Sequence, residues 1–159
     1  MAILLTRHAK AGSRSSFKGD DHDRPLIDKG RVQANGLVFA LDEFHIRRVL
    51  SSSYVRCVQT VTPLAEHLGL VVEIDECLVE GSSFESVLDL LEGLGDDSLL
   101  CSHGDVIPAV VNALERRGMD VVGFRDSRKG ATWVLERDPS GFRSARAIAP
   151  PGRSDDHDD

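Results

Sequence analysis

The chain has 159 residues, 41% hydrophobic and 28% charged, the length and balance of one soluble globular domain. A formal net charge of −7 argues against a general nucleic-acid binder and against docking on an anionic membrane. There is no apolar run near the ~20 residues of a membrane span and no signal-peptide pattern, and Cys57, Cys77 and Cys101 form no C-x-x-C pair, so reduced thiols in the cytoplasm are expected rather than a disulfide frame or a zinc site.

The first apolar run, AILL, reads as a buried strand ending in Thr6, Arg7 and His8. Residues 9–25 then form a long polar connection, of the length that in a compact domain is usually functional. Leu37, Val38, Leu41 and Phe44 at helical spacing predict a helix from about Asp28 to Phe44. RVLSS is a second strand, delivering Ser51, Ser52 and Ser53. A helix from about Tyr54 to Leu68 follows, stopped by Gly69, with Pro63 predicting a kink. VVEI is a third strand, and the loop after it carries Glu76 and Glu80. Ser82 with Glu85 reads as a capping box for a helix from about Phe84 to Leu94. SLLCS is a fourth strand, ending in Ser102, His103 and Gly104. The next helix runs from about Asp105 to Arg117, with Pro108 tolerable in its first turn and Gly118 ending it. GMDVVGFRDSRKG forms another long loop. ATWVLER and FRSARAIA, joined by DPSG, then read as an antiparallel hairpin. Residues 1–149 are expected to form a single domain and the acidic tail 150–159 to be disordered.

Alternating strands and helices predict an α/β three-layer sandwich: a mainly parallel sheet, helices on both faces, and a C-terminal antiparallel hairpin. Ligands of such sheets bind beyond the carboxyl ends of the strands. Arg7, His8, Arg56, His103 and a carboxylate from Glu76 or Glu80 are therefore expected to face one another there. Two guanidinium forks suit a dianionic phosphoryl group, and a neutral imidazole is a competent nucleophile near pH 7. A second histidine stabilises charge on the transferring group. Three cationic or donor groups around a phosphoryl leave no need for a metal, and no cofactor is expected.

Four stretches in order, LLTRHAKAG, PLIDKGRVQA, LSSSYVRCVQT and LLCSHGDVI, resemble the histidine phosphatase superfamily, which includes the cofactor-dependent phosphoglycerate mutases. The chain's size and its RHA start look most like the short bacterial phosphohistidine phosphatases of the SixA type. The resemblance implies a phosphoglycerate mutase-like fold. It makes His8 the nucleophile, places Arg7, Arg56 and His103 on the phosphoryl group, and makes Glu80 the best match for the general acid, with Glu76 second. Two positions depart from the family pattern: Ala9 stands where the family has Gly, and Ser53 where it has Pro.

The expected partner is a phosphorylated substrate, a phosphohistidine protein first and a nucleotide or other small phosphate second. A non-catalytic phosphate sensor is the rival from another class. Lys10 and Arg14 are candidates for a substrate-binding rim, as are Arg24, Arg125, Arg128 and Lys129. The Asp20-Asp21-His22-Asp23 run reads as a solvated loop rather than a metal cluster, Cys101 and Trp133 as core, and His22, His45, His67 and His157 as surface residues.

Overall fold

Seven strands and four helices follow one another as β1 (Ala2–Arg7), α1 (Asp28–Ala40), β2 (Arg48–Ser51), α2 (Val55–Leu68), β3 (Val72–Ile74), α3 (Phe84–Gly93), β4 (Ser98–Ser102), α4 (Val106–Arg116), β5 (Asp120–Val121), β6 (Thr132–Asp138) and β7 (Gly141–Ile148). One-turn 3-10 helices stand at Asp21–Asp23 and Glu76–Leu78. The structure, a computed structural model, describes residues 1–152, so most of the tail predicted from the sequence lies outside the described residues.

The strands form one sheet in the order β3-β2-β4-β1-β6-β7-β5. β1 to β4 are parallel to their neighbours within that half, and β6 runs antiparallel between β1 and β7. Period-two alternation assigns the two faces. Ile3 and Leu5 of β1, Leu50 of β2, Leu100 of β4 and Trp133 and Leu135 of β6 pack with α3 and α4. Leu4, Val49, Leu99, Cys101 and Val134 point the other way, into α1 and α2. Each such buried aliphatic side chain stabilises the fold by roughly 1.5–3 kcal/mol. The central strands carry apolar residues on both faces because both faces are covered.

The structure departs from the sequence reading at several element ends. α1 stops at Ala40, and Phe44 packs on the core from the turn that carries the chain down toward β2. α2 continues through Pro63 unbroken and ends, as expected, at Gly69 with φ 69°. The cap of α3 is Ser83, whose hydroxyl accepts from the Ser86 N–H, while Ser82 bonds back to the Glu76 carbonyl. β5, two residues paired in parallel with β7, is too short to show a period in the sequence. Pro150 and Pro151 fold back over the domain, against Gly130 and Gly36.

One close approach fixes the first loop. The Lys10 N–H donates to Gln33 (2.9 Å), and the Lys10 carbonyl accepts from the Ile27 N–H (3.1 Å). A Cβ on Gly30 would lie 1.9 Å from that same carbonyl oxygen. In an ordinary helix interior, Gly→Ala stabilises by about 1 kcal/mol. Here the sign reverses: Gly30→Ala should destabilise by roughly 1–3 kcal/mol in chemical denaturation, as overpacked sites do.

Candidate active site

β1 ends between β4 and β6, and its ladder continues into the loop. The His8 N–H donates to the Ser102 carbonyl (3.1 Å), and the His8 carbonyl accepts from the Gly130 N–H (3.1 Å). The residue after the strand is thus held on both sides by backbone hydrogen bonds, as the strand is. His8 Nδ1 lies 2.8 Å from the Ala9 carbonyl oxygen, so it carries the ring proton and donates it, leaving the Nε2 lone pair available. Ala9 is in turn held by Thr60, whose hydroxyl accepts the Ala9 N–H (2.8 Å) and donates to the Arg56 carbonyl (2.7 Å). Gln59 accepts the Leu26 N–H (2.8 Å) at the far end of the same loop. The Gln-Thr pair of the second motif therefore ties the 9–26 loop to α2. The sequence carried the motif but not that role.

Arg7 and Arg56 approach from two elements. The Arg7 guanidinium donates to the Ser127 carbonyl (2.7 Å) and lies against Gly104, where an added Cβ would sit 2.6 Å from its Cζ. Arg56, in the first turn of α2, is only 1% exposed. Its terminal nitrogens donate to the Asp21 carbonyl (2.9 Å) and the Asp21 carboxylate (3.2 Å), and its guanidinium stacks 4.8 Å from the Tyr54 ring centroid. His103, also 1% exposed, sits with its ring 5.4 Å from that of His8 and 4.8 Å from Tyr54. Arg56 Nε and His103 Nδ1 are buried and find no hydrogen-bond partner among the described residues. Buried donors of that kind are costly unless an acceptor is supplied.

Glu80 reaches the same place. One carboxylate oxygen takes a 2.8 Å hydrogen bond from Arg14, and the other lies 3.6 Å from Arg56. Glu76 is held one position outward, on the Ser53 hydroxyl (3.3 Å), which also meets His22 Nε2 (3.1 Å). Of the candidates, Arg7, His8, Arg14, Arg56, Glu80 and His103 thus converge. Lys10 lies two residues beyond His8 with its backbone held against α1. Of the rim candidates, Arg24 is buried, donating to Asp21 (2.9 Å) and the Gly12 carbonyl. Arg125 pairs with Glu115 and Arg128 with Asp126.

One sequence reading is corrected here. Asp21 is not a solvated loop residue: Arg24, Arg56 and Arg14 surround it and, against its partial burial, hold its carboxyl below the usual range. His22 keeps a surface position, its side chain 42% exposed, with its ring packed 4.8 Å from Tyr54. Among the described residues, no group of three or more His, Cys, Asp or Glu is placed to hold a metal ion, and no helix is long and apolar enough to cross a membrane.

Burial lowers the His8 pKa well below its ordinary 6.5, and the neighbouring His103, Arg56 and Arg7 push the same way, outweighing the bond to Ala9. His8 therefore stays neutral at pH values where a free imidazole is protonated. Titrated by NMR, its imidazole should hold the neutral form well below pH 6.5. The unfolded chain takes up that proton first, so His8 contributes stability above about pH 6.5 that is lost as pH falls below it.

The family model described as histidine phosphatase superfamily (branch 1) matches residues 3–87. The chain belongs to this superfamily. The matched span runs from β1 into α3 and contains Arg7, His8, Arg56 and Glu80; His103 lies beyond it and joins the site through the fold. The 8-oxo-(d)GTP phosphatase of Mycolicibacterium smegmatis is 33% identical over 155 residues, 94% of this chain and 48% of that protein. The chain thus spans about half the length of that curated relative. Among solved structures, a SixA protein of Agrobacterium tumefaciens superposes with a TM-score of 0.72 at 22% identity, covering 94% of this chain and 97% of that one. A SixA structure with tungstate superposes at 0.65 and 25% identity, covering 91% and 96%. The superfamily fold is the α/β architecture that the sequence predicted.

Proposed function

We propose that this histidine phosphatase works without a metal, through a phosphohistidine on His8. The observation that carries the reading is the His8 ring itself. Its Nδ1 proton is held by Ala9, its pKa is depressed, and Arg7, Arg56 and His103 gather around it. The His8 Nε2 lone pair attacks phosphorus in line, the bond to the leaving group breaks on the opposite side, and water then hydrolyses the P–N bond to release inorganic phosphate. Arg7 and Arg56 balance the charge of the phosphoryl oxygens, with His103 donating from Nδ1. Tungstate, a phosphate mimic, is held by the SixA structure at 25% identity, which supports a phosphoryl site in this fold.

The first substrate reading is protein phosphohistidine. Glu80, the candidate acid, is already engaged by Arg14 at 2.8 Å. An ester oxygen leaves with the help of a positioned acid, worth about 10²–10⁴-fold, whereas a protonated imidazole leaves without it. SixA chains of nearly the same length point the same way. The second reading, a nucleotide or other small phosphate, is supported by the 33% identity to the 8-oxo-(d)GTP phosphatase.

A donor panel separates the two. Purified protein would be offered a phosphohistidine carrier domain, p-nitrophenyl phosphate, and nucleoside mono-, di- and triphosphates with and without 8-oxoguanine. A kcat/KM highest for the carrier domain supports the first reading, and one highest for a nucleotide the second. Saturable phosphate binding without a phosphoenzyme from any donor overturns both in favour of a sensor.

A further inference from the structure

We propose that Ser52 is a positioning residue for phosphoryl transfer: its hydroxyl donates to Nε2 of His103 and so keeps the ring proton on Nδ1, the nitrogen that meets the phosphoryl group. The inference rests on the phosphoryl-transfer reading of the site given above.

Ser52 follows β2 directly and is fully buried, as is His103 at the end of the neighbouring β4. The Ser52 Oγ to His103 Nε2 distance is 2.9 Å. A hydroxyl has one hydrogen to give and two lone pairs to receive. One lone pair takes the Tyr54 N–H (3.2 Å), so Ser52 accepts from the backbone that opens α2 and keeps its hydrogen and one lone pair for the imidazole. A neutral ring that accepts at Nε2 must carry its proton at Nδ1. That Nδ1 is buried with no partner among the described residues, 5.4 Å ring to ring from His8. The opposite tautomer presents a lone pair to the phosphoryl oxygens in place of a donor.

Cys57 is the competitor. Its sulfur lies 3.5 Å from the same Nε2, beside the Ser52 hydroxyl, and its S–H is directed at the Ser102 carbonyl (3.7 Å). Transfer of the Cys57 proton to Nε2 leaves a thiolate beside a doubly protonated ring. Burial opposes a charge on Cys57, while contacts from Cys101, His103 and Ser52 draw its pKa down to about 6. The Ser52 contact to Nε2, at 2.9 Å against 3.5 Å for the sulfur, is the closer one, and the Ser52 hydrogen goes to that nitrogen.

Imidazole ¹⁵N spectra of the histidine-labelled protein at pH 8 test this, with His103 assigned by its loss in His103→Asn. They are recorded for wild type, Ser52→Ala and Ser52→Thr beside kcat and KM for p-nitrophenyl phosphate. The wild-type ring is expected as the neutral Nδ1–H tautomer. Ser52→Ala should shift it toward Nε2–H and lower kcat by at least about 10-fold, toward the ~10²-fold that loss of one such donor costs, with KM little changed. Ser52→Thr should restore both. A wild-type Nε2–H tautomer, a doubly protonated ring, or a Ser52→Ala protein with ring and kcat unchanged overturns the proposal. Should Ser52→Ala fail to fold, the wild-type spectrum and the Thr variant still decide. A wild type with the Nδ1–H tautomer but no turnover of any phosphate sinks the phosphatase reading instead, with the hydrogen bond demonstrated on its own.

Discussion

His8→Ala is expected to lower turnover by at least about 10⁴-fold and to leave no trapped phosphoenzyme, because loss of a nucleophile removes both chemical steps. The rest of the cradle survives the change. Arg56 remains fixed by Asp21 and Tyr54, and His103 by Ser52, so inorganic phosphate or tungstate should still bind. Binding by calorimetry together with acid-quench trapping therefore separates loss of chemistry from loss of the site. An acid-labile phosphoenzyme persisting in His8→Ala would move the nucleophile to another side chain, His103 being the nearest imidazole.

The second large effect is expected from a single methyl group. Gly104→Ala places a Cβ within 2.6 Å of Arg7 Cζ and 2.8 Å of Nε and Nη2. Neither partner yields easily, since Gly104 follows buried His103 and the Arg7 guanidinium is anchored on the Ser127 carbonyl. The guanidinium must shift by an ångström or so, a misplacement that costs on the order of 10²-fold in an active site. A fall of that size in kcat/KM, with the thermal midpoint nearly unchanged, is the expected result. Full activity would show that Arg7 can reach the phosphoryl group along another path. Here the glycine of Ser-His-Gly is required by a neighbouring side chain, not by a left-handed backbone.

The elements carrying this chemistry were legible because they are local. AILL and SLLCS announce buried parallel strands by composition alone, and the polar residues closing each run fall at the sheet edge by geometry. Asp21 was not legible: its partner Arg56 lies 35 residues away, and a run of aspartates in a loop looks the same whether water or guanidinium surrounds it. Ser52 was hidden for a similar reason, as one of three consecutive serines of which one meets an imidazole on the neighbouring strand. The Ser83 cap was missed by one position, since Ser82 and Ser83 offer the same hydroxyl and only the entry angle of the chain selects between them.

The pocket has two unequal halves. Arg56, His103 and His8 are at most 5% exposed and are interlocked with the sheet, whereas Arg14 and Glu80 meet as side chains 64% and 33% exposed on two separate loops. Altering the buried half disturbs the core; altering the exposed half removes the solvent-screened Arg14–Glu80 pair and the longer 3.6 Å contacts to Asp21 and Arg56. Natural drift and laboratory evolution thus have a cheap coordinate and an expensive one. Changes at 14 and 80 can re-address the same phosphoryl chemistry to a new leaving group while the fold stays above its stability threshold, so kin of one architecture can diverge in substrate long before they diverge in mechanism.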